Sequence, residues 1–128
     1  MQILKFEPSW EKAISINDRK LITDIFQSSN TQFNQSTRLK PIWEATNYKG
    51  EVLITILIHN FTNTTLTFRN QKLSYQEKNI VIAEHIFTVP QLVIKPKTSM
   101  PWTFIFPIES LYIKEIQGNG KLEILKNE

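Results

Sequence analysis

Residues 52 to 59 read VLITILIH, and the alternation within them decides how the rest of the chain is read. In an extended chain Val52, Ile54, Ile56 and Ile58 point one way, while Leu53, Thr55 and Leu57 point the other. Both faces are apolar. A strand of that kind belongs in the middle of a sheet, with another layer covering each side.

Working outward, the flanking sequence repeats the strand pattern. Candidate strands are Ile42 to Tyr48, Val52 to Asn60, Thr65 to Phe68, Lys72 to Gln76, Ile80 to Val89, Leu92 to Lys95, Trp102 to Phe106, Leu111 to Ile116 and Lys121 to Leu125. Breaks rich in Asn, Pro and Lys separate them at intervals of about 8 to 12 residues, the spacing of an antiparallel sandwich or barrel. FTNTTL and QGNG supply turn residues, and YQEKNI reads as a hairpin connection. Pro90, Pro96, Pro101 and Pro107 are expected at strand ends, where a missing N–H donor costs little. In PWTFIFP, residues 101 to 107, Trp102, Phe104 and Phe106 share one side of a strand. Three aromatic rings left in water would be a solubility hazard, so this side is expected to face the core.

The N-terminal segment, residues 1–27, carries the only helical period. In NDRKLITDIFQ, residues 17 to 27, Leu21, Ile22, Ile25 and Phe26 share a face, with Ser15 or Asn17 as the cap. A stripe of about two turns is too short to be stable alone, so the helix is expected to dock on the sheet as one of its covers. Residues 28–37 are polar and nearly uncharged and read as a loop; residues 38–128 form the sandwich. One domain over 1–128 is expected for a chain of 128 residues of which 41% are hydrophobic.

Composition narrows the function classes. The net charge of +3 is a small excess, and the lysines are dispersed, which disfavours a phosphate-binding surface. The absence of Cys excludes a disulfide frame, a thiol nucleophile and a Cys-ligated metal. His59 and His85 lie on different candidate strands with no accompanying ligand motif, and three glycines leave no phosphate-cradling loop. Glu44, Glu51, Glu84 and Glu109 lie in or beside strands, but nothing in the sequence pairs any two of them. The expectation is a non-enzyme with no cofactor and no metal. No basic segment followed by an apolar run opens the chain, and no apolar run approaches bilayer length; cytoplasmic residence without membrane insertion is the expectation.

The order of features resembles the SLAP domain of Bacillus-type firmicutes, the module of S-layer assembly proteins that accompany the accessory Sec system. The resemblance runs from PSWEKAISINDRKLITDIF through YKGEVLITILIHNFTNTTLTF and IVIAEHIF to KPKTSMPWTFIFP, over residues 8 to 107. Its signature residues here are Trp10, Asn60, Ala83, Phe87, Pro101, Trp102, Phe104, Phe106 and Pro107, all of which read physically as core or turn positions. This chain departs from the pattern in its polar loop before the first strand and in an apparent extra hairpin after Pro107. The resemblance implies an Ig-like, non-enzymatic module that helps surface proteins reach the export machinery, and it supplies no catalytic residues.

The expected fold is therefore all-β: an Ig-like antiparallel β-sandwich with a short N-terminal helix packed on it. The expected function is protein binding in export or assembly of surface-layer proteins. A free sheet edge that adds a strand from an extended client is a fitting mechanism, with TTLTF and KLSYQ, marked by Thr67 and Ser74, as the candidate edges. The competing readings are a homodimerising structural or regulatory domain, and a carbohydrate or cell-wall-binding sandwich.

Overall fold

The structure is a computed structural model and describes residues 1–30 and 36–125. Among the described residues seven strands form two sheets: β1 (Ile3–Leu4), β2 (Thr37–Thr46), β3 (Val52–Asn60), β4 (Leu66–Glu77), β5 (Ile80–Ile94), β6 (Thr98–Phe106) and β7 (Lys121–Leu125). One sheet has the order β1-β6-β3-β2 and the other β5-β4-β7. All strand neighbours are antiparallel except β1 and β6, which run parallel.

The core lies where the two sheets face each other. Val52, Ile54, Ile56 and Ile58 of β3 meet Phe68, Leu73 and Tyr75 of β4, Phe87 of β5, and Phe104 and Phe106 of β6. Phe87 packs edge-on against both Phe104 and Phe106, with ring centroids 5.0 and 5.1 Å apart. The period-two reading of β3 holds on its second face as well. Thr55, Leu57 and His59 are each at most 1% exposed, because an N-terminal arm covers them. That arm contains a helix the sequence reading omitted, α1 (Pro8–Ala13), and the expected one, α2 (Ile16–Ser29). Pro8 in the first turn suits α1, since its missing N–H would be unpaired there. Ser15 is the cap of α2, accepting from the Asp18 amide at 3.0 Å, and Ile22 is wholly buried on the docked face. Arg19 ties the two helices by its ion pair with Glu11 and lies 4.6 Å over the Phe6 ring.

Several boundaries differ from expectation for identifiable reasons. The segments expected at Thr65 to Phe68 and Lys72 to Gln76 are one strand, β4, irregular around Asn70, whose φ is 50°. Those expected at Ile80 to Val89 and Leu92 to Lys95 are likewise one strand, β5, because Pro90 occupies a break in register between Val89 and Val93. Leu111 to Ile116 is not a strand; its only pairing is an isolated bridge from Leu111 to Ala83. The loop expected over 28–37 is shortened at both ends, by Ser29 in α2 and Thr37 in β2, and residues 31–35 lie outside those described.

The hairpin expected at YQEKNI joins β4 to β5 through Lys78 and Asn79, with φ of 51° and 66°. Two successive positive φ values give the turn that matches strand twist. The C-terminal segment is locked on beside it. The Glu77 carboxylate accepts from the Tyr75 hydroxyl at 2.6 Å and from the amides of Gln117 and Gly118 at 3.0 and 2.9 Å. Burial pushes Glu77 upward, but these hydrogen bonds outweigh it and hold the carboxyl below its ordinary range. Just beyond, Gly120 lies against the Tyr75 ring: a Cβ there would stand 2.5 Å from two ring carbons and from the Gln76 carbonyl oxygen. Gly120→Ala is therefore expected to cost about 1 to 3 kcal/mol, measured by urea denaturation, because neither ring nor backbone has room to retreat.

Candidate functional site

The site begins with what the sheets leave unpaired. β6 makes nine consecutive pairings with β3, from Asn60–Thr98 to Val52–Phe106, without a break in register. On its other side only Ile3 and Leu4 pair with it, opposite Thr98 and Ser99. Among the described residues, Met100 to Phe106 therefore have a free edge. In the facing sheet β5 is also an outer strand, touched on its free side by the Leu111 bridge and by hydrogen bonds from the Tyr112 and Ile113 amides to Ile82. Between these two edges runs a groove of ≈ 460 Å³ that includes Ile86, Phe87 and Val89 from β5 and Trp102, Phe104 and Ile105 from β6. Ile86 and Ile105 are 56% and 48% exposed, unusual for side chains of that size beside a cleft.

Pro101 shows why the edge tolerates its sequence. The amides of Ile3 and Lys5 donate to the carbonyls of Lys97 and Ser99, so the odd-numbered residues of β6 turn their polar groups away from β3. The nitrogen of Pro101 points outward with them, and no bond to β3 is lost. Pro101 thus lies inside β6 and not at a strand end, contrary to expectation.

The N-terminal arm that borders this edge is held by a buried polar network. His59 is 1% exposed; its Nδ1 lies 2.6 Å from Ser99 Oγ and its Nε2 2.9 Å from Ser29 Oγ at the end of α2. Gln2 donates to Ser99 Oγ and to the Asn60 carbonyl, both at 3.1 Å. The His59 ring stacks on Phe61 at 5.0 Å, with Phe26 of α2 at 6.3 Å. Burial, with the positive charges of Arg38 and Lys40, lowers the His59 pKa from 6.5 to about 4. The folded state therefore resists a proton that the unfolded chain accepts. Its contribution is complete above pH 6.5 and is lost as pH falls toward 4. The expected slope approaches about 1.4 kcal/mol per pH unit within that window. Comparing wild type with His59→Asn by chemical denaturation at several pH values isolates it, because the carboxylates titrate in both proteins.

Trp10 on α1 approaches Trp102 at 6.4 Å between ring centroids, which places the helix beside the free edge of β6. Trp10 also lines a second cleft of ≈ 460 Å³, with Ala13, Ile14, Asp18 and Trp43. The other signature residues are distributed through the framework. Asn60, wholly buried, donates to the carbonyls of Thr64, Ile94 and Lys95 and accepts from the Thr62 amide and hydroxyl. Ala83 and Phe87 belong to the core cluster, as do Phe104 and Phe106, and Trp102 packs half-buried against it. Pro107 precedes a single 3₁₀ turn, Ile108–Ser110, and its carbonyl accepts from the Ser110 hydroxyl at 2.6 Å.

The two residues chosen from sequence as a binding edge are placed differently. Ser74 is buried in the central strand of its sheet, paired with Glu84 on one side and Glu123 on the other, so it offers no free edge. A proline there would remove a ladder hydrogen bond from the middle of the sheet. Thr67 is exposed and pairs with Val93, beyond the reach of β7. The free edge at Thr103 and Ile105 was missed, although a proline amid the alternating apolar residues of PWTFIFP signals an edge strand. Of the acids weighed as a catalytic pair, Glu44 and Glu84 lie in different sheets: Glu44 is on β2, while Glu84, on β5, accepts from the Tyr112 hydroxyl at 2.9 Å. Among the described residues no three His, Asp or Glu side chains cluster as metal ligands, and no helix is long and apolar enough to cross a membrane.

No curated protein and no solved structure matches the chain. A family model does: that of the SLAP domain, over residues 4–123. The match takes in the N-terminal helices, strands β2 to β6 and the segment after Pro107 that holds most of β7, so the extra C-terminal strand lies within the family pattern. By that match the chain belongs to the SLAP domain family.

Proposed function

We propose that this SLAP domain is a non-enzymatic protein-interaction module, cytoplasmic in its place of action, that serves as an accessory factor in the export or assembly of surface-layer proteins. The observation that carries the interaction reading is the open side of the sandwich, where unpaired strand edges of both sheets flank an apolar groove. Unpaired backbone groups beside such a groove are what an extended polypeptide needs in order to bind as an added strand. A protein awaiting export is extended and offers its backbone freely, whereas a folded protein does not. The family membership supports the export assignment.

The test is capture of the tagged protein from gently cross-linked native cells, with mass spectrometry of what accompanies it. Recovery of surface-protein precursors or of the export ATPase is the expected result. Recovery of the protein alone counts against the export role and favours the homodimer reading.

A further inference from the structure

We infer that the strand-accepting element is the outer edge of β6 from Pro101 to Ile105, and that its occupant is an extended, proline-free polypeptide segment with apolar side chains at alternate positions. This rests on the strand-addition reading above and specifies its site and ligand.

The backbone groups on offer follow from the register. With the odd-numbered residues of β6 directed outward, the edge presents the carbonyls of Pro101, Thr103 and Ile105 and the amides of Thr103 and Ile105. From the Pro101 carbonyl to the Ile105 carbonyl they span about 13 Å, room for a strand of about five residues.

The other outer strands are guarded. The pairing of β2 with β3 slips between Pro41 and Trp43, and that of β5 with β4 breaks at three places. β7 is five residues long and carries Lys121 and Glu123. Bulges, brevity and charge are the ordinary means by which edges are kept from pairing. β6 runs in unbroken register with β3, and within the strand only Pro101 interrupts the row of outward donors. It also already accepts a strand at one end, since β1 pairs at Thr98 and Ser99. An incoming segment would continue that pairing along the same edge.

The surroundings favour a bare strand over a second folded copy. β5 bounds the edge on one side of the groove, and Trp10 on the N-terminal arm stands against Trp102. A single strand fits a slot bounded in this way. A folded sheet would bring its own neighbouring layers against β5 and α1. The groove side chains Phe87, Val89 and Trp102 carry no charge, so apolar residues on the inward positions of the occupant match them.

The experiment uses a blocked Thr-Val-Thr-Val-Thr-Val-Thr peptide at up to millimolar concentration, read by amide hydrogen exchange in the NMR spectrum of the full chain. The expected result is about tenfold or greater slowing at Thr103 and Ile105, no change at Ile86, and no effect from the same peptide N-methylated at alternate residues. Ile105→Pro removes one outward donor without touching the bonds to β3, so its spectrum is expected to remain folded while the slowing at Thr103 disappears. Exchange slowed at Ile86 and not at Thr103 overturns the assignment to β6 while strand addition itself survives. Slowing at neither edge overturns both. Slowing at Thr103 without peptide, rising with protein concentration, overturns the choice of occupant in favour of a second copy.

Discussion

Phe104→Ala lowers the free energy of unfolding by about 3 to 5 kcal/mol, the range for removing a large aromatic side chain from a packed core. Phe104 is 1% exposed and bridges the two sheets, with its ring 5.4 Å from Phe68 and 5.0 Å from Phe87. With Ile54, its partner on β3, these neighbours sit on three different strands, β3, β4 and β5, so no single side-chain rotation closes the cavity. Phe104→Leu, which keeps part of the volume, is expected to fall between wild type and alanine. Urea denaturation measures all three proteins. A loss below about 1 kcal/mol for Phe104→Ala would mean that the sheets can settle toward each other, and that the core is less rigidly determined than its packing indicates.

Asn60→Ala is expected to cost about 3 kcal/mol although it removes little apolar contact. The Asn60 amide nitrogen serves the carbonyls of Thr64, Ile94 and Lys95, and its oxygen receives the amide and hydroxyl of Thr62. One side chain thereby joins the turn after β3 to the end of β5 in the opposite sheet. Alanine leaves these groups without that partner, the buried Ile94 carbonyl among them, at about 1 to 3 kcal/mol for each that water cannot reach. Asn60→Asp separates the two halves of the role. It keeps the acceptor for Thr62 but sets a carboxylate against three carbonyl oxygens, so it is expected to be at least as damaging at pH 7 as alanine. Its stability should then recover in part as the carboxyl takes a proton. Equal stability of the two variants at all pH values would contradict the hydrogen-bond account.

The architecture was legible wherever periodicity and burial coincide. Val52 to Ile58 announced a central strand covered on both faces, and the structure covers one face with the opposite sheet and the other with the N-terminal arm. The hairpin at Lys78 and Asn79 was readable from turn chemistry alone. What was not legible is tertiary in origin. Whether Pro90 ends a strand or sits in a bulge depends on its partner β4, and the same residue type is compatible with both. Leu111 to Ile116 has the composition of a strand but finds no partner ladder beyond one bridge. α1 was hidden because a six-residue helix has too few positions to show a period. The placement of Ser74 was hidden for a related reason: KLSYQ stood out as weakly apolar, whereas a free edge is a property of strand order, which no single segment encodes.

Site-specific photo-cross-linking in living cells tests the central claim most directly. A photoreactive phenylalanine analogue is placed at Ile105 on the open edge of β6, and at Ile124 on the remote strand β7 as the control. Both side chains are exposed, at 48% and 37%, so the substitution is expected to leave the fold intact at either position. If the domain receives export clients as added strands, adducts with surface-protein precursors form from position 105 and not from position 124. Adducts from position 124 alone, or none from either, would contradict the account.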